Sequence, residues 1–127
     1  MIIADTDVLI DYLNGRNPSA DRVALELGAG LKTTVITRFE LLSGARSTHQ
    51  ETIAIDLLAA VEALPLDGKS ADWAARVYRA LEGGGRRIGM ADSLIAGIVL
   101  RHGGLLLTRN RKHFERVPGL KLVRDMI

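Results

Sequence analysis

The stretch IIADTDVLID, residues 2–11, decides how the rest of the chain reads. Met1 to Ala4 has the character of a short buried strand, and Val8, Leu9, Tyr12 and Leu13 follow at helical spacing, with Asp5 and Thr6 between them as helix starters. Three later stretches repeat the theme: TTVITRFELLSG (33–44), IGMADSLIAGIVL (88–100) and LLLTRNRKHF (105–114). Each of the four places a carboxylate or carboxamide (Asp5, Glu40, Asp92, Asn110) where an apolar run gives way to a helical pattern. In α/β proteins such junctions are where active sites are assembled.

The 127 residues suffice for one domain, expected over 1–127. Hydrophobic residues make up 47%, but with two Phe, two Tyr and one Trp the core has to be aliphatic. That favours a helix-covered parallel sheet over an aromatic-rich β-sandwich. The net charge of +2 hides an asymmetry: residues 1–64 carry five Lys/Arg against nine Asp/Glu, and residues 65–127 carry twelve against six. The basic half offers a surface for a polyanion, unless its charges are merely dispersed over solvated helices. With no cysteine, a disulfide framework and a Cys-ligated zinc site are excluded. The acidic start lacks the basic n-region of a signal peptide, and the longest apolar run, LIAGIVL, is far below the ~20 residues of a membrane span. The expectation is a cytoplasmic protein with no membrane anchor.

Between the motifs, helices are expected over 19–29, 37–45, 50–63, 70–82 and 92–100. Strands are expected at Thr33 to Ile36, Leu64 to Leu66, Leu105 to Leu107 and Leu120 to Val123. Trp73, Val77, Tyr78 and Leu81 share one helical stripe, which reads as core or dimer contact in preference to a base-stacking platform. The alternation of short strands and helices, without repeats, describes one α/β sandwich.

Each acid has an ordinary structural explanation: Asp5 and Asp92 as N-terminal helix acids, and Thr37 with Glu40 as a capping box. Their positions argue for more. In a parallel sheet, residues that follow strands converge on one edge. Asp5, Glu40 and the Thr108 to Asn110 turn all follow strands, and Asp92 reaches the same edge if its helix runs antiparallel to them. Carboxylates ~5 Å apart repel by roughly 3 kcal/mol per pair at an effective dielectric near 20. A divalent cation removes that cost, and oxygen donors select a hard one, Mg²⁺ or Mn²⁺. Such a site suits in-line hydrolysis of a phosphodiester. His49 and His102 lie at helix ends, and His113 lies near the candidate site without a His or Cys at metal-ligand spacing.

The four motifs, in their order and spacing over essentially the whole chain, resemble those of PIN-domain ribonucleases, in particular the VapC toxins of bacterial and archaeal toxin–antitoxin pairs. The resemblance implies a PIN fold, a central parallel β-sheet flanked by α-helices in three layers, acting as a Mg²⁺- or Mn²⁺-dependent endoribonuclease. Carried over by position, Asp5, Glu40 and Asp92 would be the catalytic, metal-binding acids, with Asn110 assisting through a coordinated water. Asp7 stands where many relatives have Asn, and Asn110 and His113 stand where others place an Asp, which removes one charge and favours a single tightly held ion. Thr6, Arg86, Arg87, Thr108, Arg109, Asn110 and Arg111 are the candidate substrate contacts, with Lys112 and Arg116 nearby; Arg86 and Arg87 adjoin the glycine run at 83–85.

Implied partners are RNA, a second copy in a homodimer, and a VapB-type antitoxin. A segment of the antitoxin would pack on Leu9, Tyr12 and Leu13 and insert an Arg near Asp5 and Asp92. The alternatives are a stand-alone PIN RNA-processing nuclease and a non-catalytic PIN-like RNA-binding module. A response-regulator receiver fits poorly, because Asp56 sits inside a helical run where that class needs an acceptor after a strand.

Overall fold

The computed structural model describes residues 1–126 of the chain, so the end of the expected domain, Ile127, lies outside the described residues. In chain order the elements are β1 (Ile2–Ala4), α1 (Thr6–Leu13), α2 (Ser19–Gly28), β2 (Lys32–Thr34), α3 (Val35–Gly44) and α4 (Thr48–Ala60). They continue with β3 (Glu62–Leu64), α5 (Gly68–Ala80), α6 (Met90–His102), β4 (Leu105–Leu107), α7 (Arg111–Phe114) and β5 (Lys121–Leu122).

The five strands form one sheet in the order β3-β2-β1-β4-β5, and every pairing is parallel. Side chains alternate across it. Ile3 and Leu106 face the layer that contains α5 and α6, with Val77, Leu81, Ile95, Ile98 and Phe114. Ala4 and Leu107 face the other layer, with Val8, Leu9, Val23, Leu57 and Leu58. A sheet buried on both faces explains why its neighbouring strands β1 and β4 are plain apolar runs. Phe114 is fully buried in an otherwise aliphatic core.

This strand order has a consequence for function. The chain steps outward from β1 to β2 and β3, then returns to the other side of β1 with β4. The reversal leaves a crevice beyond the C-terminal ends of β1 and β4, the general position of ligand sites in open parallel sheets.

Several boundaries differ from the sequence reading for local reasons. The strand expected at Thr33 to Ile36 stops at Thr34, whose hydroxyl caps α3 by accepting from Thr37 N at 3.1 Å. The cap overrides the strand preference of Val35 and Ile36. It also replaces the expected Thr37 and Glu40 capping box, because Thr37 is already inside the helix. The strand sought at Leu64 to Leu66 lies earlier, at Glu62–Leu64, with Pro65 just beyond it. Trp73 is not in the core: it is 39% exposed, with the Arg76 guanidinium over its ring at 5.1 Å.

Helices α5 and α6 pack closely at Gly97. A Cβ added at Gly97 would lie 2.6 Å from Ala74 Cβ, Ala74 N and Ser70 O. Two of those three atoms are backbone, so the helices themselves would have to separate. Gly97→Ala is therefore expected to lower the unfolding free energy by about 1–3 kcal/mol or more despite its gain in helix propensity, as read by denaturant melts. An unchanged midpoint would show that α6 shifts freely against α5.

Candidate active site

The crevice is built from four junctions. Asp5 extends the sheet, donating its N–H to Leu107 O at 2.9 Å, and its Oδ1 then caps α1 by accepting from Thr6 N at 2.8 Å. Its Oδ2 accepts the Thr108 hydroxyl from the end of β4 at 2.7 Å. The carboxylate is 5% exposed and held at both oxygens, so its orientation is fixed. Burial drives its pKa up to about 7. The negative charge of Asp7 adds to the shift, the hydrogen bonds from Thr108 and Thr6 oppose it, and Asp92 raises it further.

Glu40 reaches the same edge from α3. Its Oε1 accepts the Thr6 hydroxyl at 2.6 Å, and the Thr6 hydroxyl also lies 3.0 Å from Thr37 Oγ1. Asp92 opens α6 and faces His113, with Nδ1 to Oδ2 at 3.2 Å. The same Nδ1 is 2.9 Å from Asn110 Nδ2. These contacts require different rings, since Nδ1 accepts from the amide only when unprotonated and donates to the carboxylate only when protonated. Helix α6 runs back toward β4 through Gly103, its left-handed C-cap at φ 75°. That reversal carries Asp92 to the edge where the strands end.

Asp7 is the acid least accounted for by spacing. Its Oδ2 accepts from Arg109 N at 3.0 Å, while Oδ1 is buried with no hydrogen-bond partner. Burial raises its pKa also, against the hydrogen bond and charge of Arg109.

The basic residues divide into engaged and free. Arg109 Nε lies 2.7 Å from the buried Asp11 carboxylate. Arg111 reaches Val123 O and, at 3.5 Å, Glu115. Arg87 lies 3.8 Å from Glu82, and its carbonyl is within 3.5 Å of Arg116 Nη1. Arg86 and Lys112 are exposed and, among the described residues, have no hydrogen-bond or ion-pair partner. The tie between Arg109 and Asp11 had no signal in the sequence, since it joins two ends of the chain.

Does this arrangement suit a divalent cation? Among the described residues no three His, Asp or Glu side chains close on one point as a finished cage. Mg²⁺ does not need one, because it commonly keeps several waters and takes one or two carboxylates, with substrate phosphates supplying further oxygens. The donors are all hard oxygens, Asp7 Oδ1 is buried and unsatisfied, and Asp5 is disfavoured as an anion by burial and by two neighbouring acids. The residues fit such an ion.

A groove of about 270 Å³ adjoins Glu40 and is lined by Ile10, Leu13, Leu41, Gln50, Ile53 and Ala54, among others. Leu9, expected to present itself to a partner, is fully buried and contributes nothing to it. Ile10 and Ile53 supply the exposed apolar surface in its place. Among the described residues no helix is long and apolar enough to cross a membrane.

A family model described as PIN domain matches residues 2–120. The chain is 32% identical to Ribonuclease VapC1 of Methanocaldococcus jannaschii over 95% of this chain and 85% of that one. It is 27% identical to the tRNA(fMet)-specific endonuclease VapC of Shigella flexneri over 92% of each. Among solved structures it is similar to VapBC2 from Rickettsia felis bound to a DNA fragment from its promoter, with a TM-score of 0.82, 25% identity and coverage of 97% and 98%. It is also similar to VapBC-1 from nontypeable Haemophilus influenzae, with a TM-score of 0.80, 28% identity and 97% coverage of each chain.

Proposed function

Because this chain belongs to the PIN-domain family, we propose that it is a divalent-metal-dependent endoribonuclease and the toxin half of a type II toxin–antitoxin pair. The observation that carries the reading is the meeting of Asp5 with Thr108 and the charge of Asp92 at the β1–β4 crevice, in a chain whose relatives are named ribonucleases. Asp5, Asp92 and Glu40 would hold Mg²⁺ or Mn²⁺, with Asn110 contributing through a water. Bound there, the ion would polarise the scissile phosphate, ease deprotonation of the attacking water and offset charge on the leaving oxygen.

The chain's own groups supply position. Thr6 N and the Thr108 hydroxyl fix both oxygens of Asp5, and the Thr6 hydroxyl fixes Glu40, so little reorganisation is needed when substrate arrives. In the hydrolysis itself, the water oxygen bonds to phosphorus, the bond from phosphorus to the leaving oxygen breaks, and the leaving oxygen takes a proton. Arg86 and Lys112 have the freedom to meet RNA phosphates, which gives affinity without sequence choice.

The similarity to VapBC complexes favours the toxin reading over a stand-alone nuclease. A VapB-type antitoxin segment would lie in the groove beside Glu40, its aliphatic side chains on Ile10, Leu13 and Ile53, with an Arg paired bidentately to the acids. A homodimer and a cytoplasmic location belong to the same proposal.

Purified protein should cleave RNA with Mg²⁺ or Mn²⁺ and stop when a chelator is added. Transfer RNA is the first substrate to try, given the specificity in one relative's name. A small protein encoded by the adjacent gene is expected, and it should bind this chain and abolish cleavage. Failure of that neighbour to bind or inhibit, with cleavage intact, would leave a stand-alone nuclease; chelator-resistant cleavage would remove the metal from the mechanism.

A further inference from the structure

The proposed chemistry leaves one buried charge without a task. Asp11 lies on α1 at 5% exposure, and its Oδ2 is 2.7 Å from Arg109 Nε. One turn earlier on the same helix, Asp7 Oδ2 accepts the backbone N–H of Arg109 at 3.0 Å. A single residue of the turn after β4 is thus gripped twice by two acids of α1, once through its backbone and once through its guanidinium. Either side of it are the groups that touch the crevice. Thr108 donates to Asp5 Oδ2, and its oxygen accepts Asn110 N at 3.0 Å. Asn110 in turn contacts His113, which faces Asp92.

A carboxylate removed from water is costly unless a cation stands beside it, and Asp11 has Arg109 in ion-pair contact. The guanidinium remains 54% exposed, which is the look of an RNA contact, but its Nε lies 2.7 Å from Asp11 Oδ2. We propose that Asp11 is a positioning residue for the phosphodiester hydrolysis: through Arg109 it fixes the 108–110 turn against α1, and that turn sets Asp5 and the reach of Asn110 and His113 toward Asp92. The inference rests on the nuclease reading above. It assigns Arg109 to the scaffold of the site and not to substrate binding.

The test uses the full chain as Asp11→Asn, Arg109→Gln and the double variant, with Arg109→Lys as the conservative control. Steady-state cleavage of RNA and Mn²⁺ affinity, followed by titration calorimetry, are both measured well below each variant's melting temperature. Each single variant should lose about 10–100-fold in kcat, the range typical of groups that orient metal ligands, and bind Mn²⁺ about tenfold more weakly, with KM for RNA within about twofold of wild type. The double variant should be no worse than either single, because both remove one contact. Arg109→Lys, which keeps the cation, should recover part of the loss.

If Arg109→Gln raises KM and flattens the salt dependence while Asp11→Asn behaves as wild type, Arg109 is an RNA contact and the proposal falls. Wild-type kcat and Mn²⁺ affinity with only a lower melting temperature would mark the pair as purely structural and overturn it too. A wild-type chain that binds Mn²⁺ but cuts no RNA would defeat the nuclease reading and with it the role in hydrolysis, while the Mn²⁺ affinities would still decide whether Asp11 positions the 108–110 turn at the acids. Neither cleavage nor Mn²⁺ binding by the wild type would overturn both.

Discussion

Asp5→Asn and Asp92→Asn should each lower RNA cleavage by more than about a hundredfold. Loss of a group that merely orients a metal ligand costs about 10–100-fold, so loss of the ligand's own charge should exceed it. The Asn side chain at position 5 is nearly isosteric, and its oxygen can still accept from Thr6 N, so the N-cap of α1 is retained. The change therefore removes charge while sparing the fold. Thr108→Val, which strips Asp5 Oδ2 of its hydrogen bond without touching a proposed ligand, should fall between wild type and Asp5→Asn. Single-turnover cleavage of end-labelled RNA with enzyme in excess separates these effects from product release. If both Asn variants cut as fast as wild type, the assigned acids are not the reacting site.

The second large effect is on stability, and its sign follows from Asp5. The folded pKa, about 7, is above the ordinary 3.8, so the folded state holds a proton that the unfolded state has already released. Below about pH 4 both states are protonated and Asp5 imposes no penalty. Between pH 4 and 7 the penalty grows as pH rises, and above pH 7 it is fully present. Asp7, raised in the same direction, adds to the slope. Metal-free protein should thus lose stability as pH climbs through this window, by a few kcal/mol. Mg²⁺ or Mn²⁺ should return ~2.7 kcal/mol at a hundredfold excess over its dissociation constant, and more of the thermal shift should be visible at pH 7.5 than at pH 5. Without metal, Asp5→Asn should melt higher than wild type at pH 7.5 and respond less to the ion. Scanning calorimetry across pH with and without chelator measures all of this. A metal response unchanged in Asp5→Asn would locate the ion elsewhere.

Much of the fold was legible because it is local. The passage from Ile2–Ala4 through Asp5 into α1, the uncharged run of α6 and the apolar triplet of β4 each announce themselves within about ten residues. Parallel order followed from the aliphatic composition and the alternation of short strands with helices. Boundaries were harder, because neighbouring residues compete: Thr34 and Thr37 are both chemically suited to cap α3, and Thr34 holds the cap in the folded chain. That the ends of β1, β2 and β4 share one edge was readable from topology, since residues after parallel strands lie together. What those residues touch was not. That Thr108 donates to Asp5, that Arg109 spends its guanidinium on Asp11, and that His113 sits between Asp92 and Asn110 depend on contacts across the chain. Such pairings leave no period in the sequence. Arg109, Arg111 and Arg86 look alike as basic residues near a motif, and only the packed structure divides them, because a guanidinium is committed to whichever oxygen the fold brings within reach and is otherwise left to solvent and substrate.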